Sequence, residues 1–475
     1  MAKEDNEYFE SEDFKEILSD YETSVNSGSP VYMDADDLVD IADYYSMHGD
    51  MDKCHHALDC ATQLYPDSIG PIIFKAREAM FSGYYELAKK YEAQIENCND
   101  LDYHYLHAEL LIRDGREDEA EEYLDHCLSE TDEEYQDFVL DVINIFNDYK
   151  LYNKSYEWTS RLKDTESVEY KELMGDIQFN LGKYKESNRI FNELIEVDPF
   201  STDYWNSLSN SQFMEDDYKE ALTSSEYSIA INPNNTEAIL TKANSLFHLN
   251  NIKEALTYFR RFVKLMPKDE TGYFLEGVAL NTLDEYQEAV VSLKKAEEFS
   301  GGTSSNQLQI YQELAFALSS LGKVDEALSY IDKTEELECD HSEMMVVRGH
   351  ILLSNKRESE ALSTFEKALE MSSSLPGTTL RIGVSLFDNR YYEKAYDMLK
   401  HLLDSVSEEW KDGYSYMALC CKELKNIKEF LIYLKKACDL NPAEAKEILG
   451  GMFPDEMEPN EYYEYVFNKI KDYLK

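Results

Sequence analysis

The stretch VEYKELMGDIQFNLGKYKESNRIFNELIEVDPFS, Val168 to Ser201, reads as two helices followed by a hard stop. Leu173, Met174, Ile177 and Leu181 recur at the 3.6-residue spacing of one helix face, and Gly182 tolerates the positive φ that ends a helix. Tyr184, Ile190, Phe191, Leu194 and Ile195 mark the buried side of a second helix. Asp198-Pro199 terminates it, because proline cannot continue a helix and restricts the residue before it. Gly175 and Ser187 fall where an antiparallel pair should cross, and small side chains there let the two backbones approach closely.

The plan recurs along the chain. Small residues stand at Ala42, Ala76, Ala108, Gly175, Ser209, Ala243, Gly277, Ala315, Gly349, Gly383 and Ala418, and most neighbouring steps are 34 residues. A degenerate copy centred on Ile143 fills the one long gap. Twelve residues after most of these comes a second small residue, as in Ala88, Ala221, Ala289 and Ala361. Twenty-four residues after five of them comes a proline: Pro66, Pro199, Pro233, Pro267 and Pro442. A fixed period of this length marks a solenoid of stacked units, which grows along one axis without a single large core.

The unit resembles the tetratricopeptide repeat, most plainly in Trp205…Leu208…Ala221…Pro233 and in Met174-Gly175…Tyr184…Phe191…Pro199. The resemblance covers twelve copies, at 35–68, 69–100, 101–134, 136–167, 168–201, 202–235, 236–269, 270–303, 308–341, 342–375, 376–409 and 411–444. Those at 101–134 and 136–167 depart furthest from the pattern. The fold it implies is an all-α, right-handed α-solenoid superhelix. Residues 1–34 are expected to form an acidic capping helix from about Ser11 to Asn26, with Phe14, Ile17, Leu18 and Tyr21 facing inward. Repeats 1–8 occupy 35–303. Added residues at 304–307, after Gly301-Gly302-Thr303, predict a loosened joint before repeats 9–12 at 308–444. Residues 445–475 are expected to cap the array with a short helix, a breaker run from Gly450 to Asn460, and a final helix bearing Tyr463, Val466, Phe467 and Ile470.

Charge narrows the choice of function. Against 46 Lys+Arg stand 96 Asp+Glu, a formal net charge of −50. Nucleic acid and anionic membranes need clustered Lys/Arg, so neither is an expected partner, whereas basic proteins are attracted. The eight scattered cysteines show no disulfide framework and point to a reducing compartment, and no secretory signal is visible at the N-terminus, so the expected address is cytoplasmic.

Chemistry is not evident. Cys54-His55-His56 with Cys60 lies within one helix, unlike the paired knuckles of structural zinc, and no metal or cofactor is expected. His104 and His107 read as satisfied core histidines. Twelve carboxylates between Asp114 and Asp137 read as a solvated helix face rather than a catalytic group. With no nucleophile–base constellation, no catalytic residue is assigned and an enzyme is not expected.

The resemblance implies that the first helix of each pair lines a concave face. Residues there that packing does not claim are Asn206, Asn210, Phe213, Asn244, Phe247, His248, Phe274, Asn281 and Phe316. Each asparagine carries donor and acceptor, so a row of them suits the backbone of an extended peptide, and interleaved phenylalanines supply apolar anchors. Some tetratricopeptide proteins have similar asparagine-lined grooves. The carboxylate-clamp subtype is not matched, because Glu172, Asp176 and Glu237 stand where basic residues would be needed. The expected function is a non-catalytic scaffold or adaptor that binds a peptide or protein segment in this groove. The alternative is an acidic chaperone or antagonist of basic client proteins.

Overall fold

A left-handed residue closes the first helix of every pair. The positive-φ positions are Gly49, Gly83, Gly115, Lys150, Gly182, Asp216, Asn250, Asp284, Gly322, Lys356, Arg390 and Lys425. A computed structural model describes residues 8–9, 11–96, 98–128, 135–302, 304–407, 409–454 and 456–470, and no strand occurs among them. Among the described residues are 27 α-helices, of which 24 alternate as first and second helices of the repeats. No helix among the described residues is long and apolar enough to cross a membrane.

The chain divides into two compact units, Met1–Asp216 and Asp217–Lys475. In the first, the paired helices begin with Ala35–Met47 and Met51–Leu64 and run to Val168–Asn180 and Tyr184–Val197, followed by Thr202–Met214. In the second, Tyr218–Ile231 precedes six pairs, from Thr236–His248 with Ile252–Leu265 to Tyr414–Glu423 with Ile427–Leu440. Within each unit a first helix packs on its own second helix and on the pair that follows.

The crossing points show why the small residues recur. Ala42, Ala76, Ala108, Ala243, Ala315 and Ala418 are fully buried. At the glycine copies the space is taken by a large side chain sixteen residues later. A Cβ on Gly175 would stand 2.7 Å from the Phe191 ring, and one on Gly383 would stand 2.7 Å from Leu399. Gly277 faces Leu293, and Gly349 faces Phe365, in the same way. Interiors are close-packed, so a methylene added at such a point must displace something.

The N-terminal cap runs Glu12–Ser27, with the Ser11 hydroxyl accepting from the Phe14 amide and Gly28 closing the helix in the left-handed region. Phe14 and Tyr21 are buried, and the Tyr21 hydroxyl pairs with His56 Nδ1 at 2.7 Å. The C-terminal cap differs from expectation. Pro459 opens the last helix, Pro459–Ile470, rather than belonging to a breaker, because the first helical position needs no N–H. This helix buries Pro459 and Tyr462, the latter stacked on Phe453 at 3.8 Å; Tyr463 is half-buried, Val466 rests partly buried on the core, Phe467 stays exposed, and the side chain of Ile470 lies outside the described residues.

At the inserted residues, Gly301 and Gly302 both take positive φ, and Thr303 lies outside the described residues. The turn is tied back: the Ser304 hydroxyl and the Asn306 amide both donate to Glu270 of the preceding pair. The Ser300 hydroxyl donates to Gln307 Oε1 at 2.6 Å. The joint is thus braced by its own polar side chains.

Candidate functional site

Helix position decides what each candidate residue can do. In the first unit, Thr202–Met214 carries Asn206, Asn210 and Phe213. Asn206 is buried at 5% exposure, whereas Asn210 and Phe213 are half-buried. The adjoining Tyr204 hydroxyl donates to Glu172 at 2.5 Å, which commits that carboxylate to holding two first helices together.

In the second unit, Thr236–His248 presents Asn244 and Phe247 half-buried, with Phe247 resting on the core. His248 is exposed and stacks on Tyr218 at 4.5 Å. Phe274, on Glu270–Thr282, is half-buried against the core. Asn281 is buried, and its amide donates to the Glu313 carboxylate at 2.7 Å and to the Glu313 carbonyl at 3.2 Å. That leaves its Oδ1 buried without a hydrogen-bond partner. Phe316, one turn beyond Glu313, is 44% exposed and meets Tyr286 edge-on at 5.9 Å. The structure therefore gathers Asn281, Glu313, Phe316 and Tyr286 across two successive pairs. Burial pushes the Glu313 carboxyl above the usual range, with the Asn281 hydrogen bond opposing.

The first-helix row continues past Phe316, which the sequence reading did not include. His350 Nδ1 lies 3.1 Å from the Ser385 hydroxyl. The Ser354 hydroxyl donates to Asn389 Oδ1 at 2.8 Å, and Asn355 donates to the Ser319 hydroxyl at 2.8 Å. Phe387 meets Tyr416 edge-on at 6.1 Å. Burial lowers the His350 pKa, opposed by Asp388, and burial raises Asp388, opposed by His350. Ser385 is only 4% exposed, so this Ser–His–Asp grouping braces neighbouring pairs and offers no accessible nucleophile. A spacing of 35 residues between His350 and Ser385, and again between Ser354 and Asn389, was the available signal for these contacts.

Elsewhere, buried charges are paired. Lys242 donates to Glu226 at 2.6 Å beneath the Tyr258 ring, and Arg260 bridges Glu276 and Glu288 at 2.9 and 2.7 Å. His104 pairs with the Tyr123 hydroxyl at 2.6 Å, and His107 with Glu92 at 2.5 Å. In the Cys54–Cys60 stretch the histidines diverge: His55 bonds Glu78 and His56 bonds Tyr21. Cys54 is fully buried, which pushes its thiol up to about 11. Of the acidic run from Asp114 to Asp137, residues 129–134 lie outside the described residues. In the rest, Asp118 and Glu121 both accept from Lys154, and Arg116 grips Glu119.

Comparison with known proteins gives two family matches. The tetratricopeptide repeat profile matches residues 101–132, 168–201 and 342–374. The first of these is a copy whose sequence departs far from the motif. The profile of anaphase-promoting complex, cyclosome, subunit 3 matches residues 214–296. No curated protein matches the chain. Among solved structures, yeast Tom70 is similar at 15% identity over 92% of this chain and 96% of that one, with a TM-score of 0.44. The APC/C hetero-tetramer Cut9–Hcn1 gives 15% identity over 95% of each chain and a TM-score of 0.36. MamA from Desulfovibrio magneticus RS-1 gives 19% identity over 36% of this chain and 94% of that one, with a TM-score of 0.34.

Proposed function

The chain is a tetratricopeptide-repeat protein, and from that premise we propose that it is a non-catalytic scaffold which holds an extended segment of a partner protein. The segment lies along the first helices between 236 and 320, with Asn244 and the phenylalanines at 247, 274 and 316 as its contacts. One observation carries the reading. Three consecutive first helices of the second unit carry Phe247, Phe274 and Phe316; the first two rest half-buried on the core, and Phe316 is left 44% exposed. An exposed aromatic ring in a row with half-buried ones and a polar amide has the composition of an interface that anchors by burial and orients by hydrogen bonds. Asn281 serves this surface indirectly, by fixing Glu313 one turn from Phe316. The net charge of −50 supports a partner segment that is basic or neutral rather than acidic.

The test is quantitative co-purification from cells with Asn244→Ala and Phe316→Ala combined. Loss of a hot-spot ring and its neighbouring amide should lower recovery of the specific partner by about tenfold or more. Neither residue is fully buried, so the helical signal in circular dichroism should not change. An unchanged partner list with unchanged recovery would refute the assignment.

A further inference from the structure

Within the first unit, the helices Ala35–Met47, Gly70–Phe81 and Leu101–Arg113 border a cleft of about 510 Å³. Its apolar walls are Val39, Met51, Ile73, Phe74 and Phe81. Phe81, at the end of its helix, is 82% exposed; nearby in the chain Tyr84 is exposed in the turn, Tyr85 and Leu87 on the helix Tyr85–Glu92, and Met47 at the end of the preceding first helix. Exposed large apolar side chains beside a cleft have the composition of an interaction surface.

The charged part of the lining is net acidic. Asp43, Glu78 and Asp102 face the cleft, Glu78 also meeting His55 at 2.7 Å, and the one cation among the lining residues is Arg77. That guanidinium is bound by Glu109, through contacts of 3.0 and 3.2 Å, so its charge is already met. An apolar trough with a net acidic lining complements an apolar side chain beside a positive one. A second copy of this chain, at −50, would bring the wrong charge.

We propose that this cleft is a second docking surface, which takes a protein segment presenting a bulky apolar side chain flanked by arginine or lysine. The apolar side chain enters between Phe74 and Phe81, and the basic group lies against Asp43, Glu78 and Asp102. The proposal stands apart from the surface between 236 and 320, which belongs to the other unit.

Fluorescence anisotropy with the full chain tests it. Three synthetic peptides share a Leu-Trp-Leu centre and differ only in flanking arginines, glutamines or glutamates. The arginine peptide should bind about tenfold more tightly than the glutamine peptide, and the glutamate peptide more weakly still. Phe81→Ser, at a position too exposed to disturb the core, should weaken the arginine peptide about tenfold, as should Asp43→Asn combined with Asp102→Asn. Asn244→Ala with Phe316→Ala should leave this binding unchanged. Equal affinity for the arginine and glutamine peptides, no binding of the arginine peptide, or indifference to Phe81→Ser would each overturn the proposal. So would a Phe81-dependent dimer in sedimentation velocity, which would place a second copy on this face.

Discussion

Gly349→Val is expected to destabilise the 217–475 unit by about 3 kcal/mol, at the upper end of the cost of overfilling a packed core. A Cβ at position 349 would meet the Phe365 ring, whose Cζ would be only 2.8 Å away, and Phe365 is 2% exposed with no room to swing out. Valine adds two further methyl groups to that overlap. Shrinking the opposing side chain should return the space, so Phe365→Val added to Gly349→Val should cost less than the sum of the two single changes. Repeat arrays transmit stability through nearest neighbours. Amide exchange should therefore accelerate across 341–371 and the adjoining pairs, and stay unchanged across 168–197 in the other unit. Strictly additive single and double variants would contradict the packing argument.

Arg77→Met should destabilise the 1–216 unit by about 3 kcal/mol, because it strands a buried carboxylate. Glu109 is 8% exposed and takes both contacts from the Arg77 guanidinium. Arg77→Met with Glu109→Met removes the stranded charge and should recover most of the loss. The sign with pH is fixed by the same geometry. Burial pushes the Glu109 carboxyl above its ordinary value, with Asp148 adding to it, while Arg77 and Arg113 oppose. Without Arg77 the carboxyl rises further. A carboxyl that binds its proton more tightly folded than unfolded costs stability as pH rises from the unfolded value through the folded one. The deficit of Arg77→Met should therefore be greatest near neutrality and shrink on acidification towards about pH 5. Urea unfolding at the two pH values measures this, and a deficit independent of pH would contradict it.

Period and side-chain size made the fold legible. The small positions at 34-residue steps mark helix crossings because close backbone approach excludes larger side chains, and each of them, from Ala42 to Ala418, sits on a first helix. What opposes each crossing was less visible. The partner sixteen residues on, Phe191 for Gly175 and Phe365 for Gly349, is one of several apolar residues in its helix, and only three-dimensional packing singles it out. The turn was legible where it is glycine. Asp216, Asn250 and Asp284 take the same left-handed conformation, which Asn and Asp tolerate, but Lys150, Lys356, Arg390 and Lys425 take it at a cost of about 1 kcal/mol each with nothing in their side chains to announce it. Pro459 misled because proline both stops a helix and starts one.

The candidate site was legible in part. Helical spacing put Phe247, Phe274 and Phe316 on first helices, but it could not tell exposed Phe316 from Phe274, which rests on the core. Nor could it show that Asn281 is committed to Glu313, or that the polar row runs on through His350, Ser385 and Asn389. Those contacts join residues more than thirty positions apart.

Site-specific photocrosslinking in cells tests the central claim most directly. Benzoylphenylalanine at Phe316, on a first helix, is compared with the same probe at Val291, which is 58% exposed on the second helix of the preceding pair. A discrete protein adduct from position 316 and none from position 291 is the expected result. Adducts from 291 alone would show that partners sit on the second helices instead, and the assignment of the first-helix face would fall.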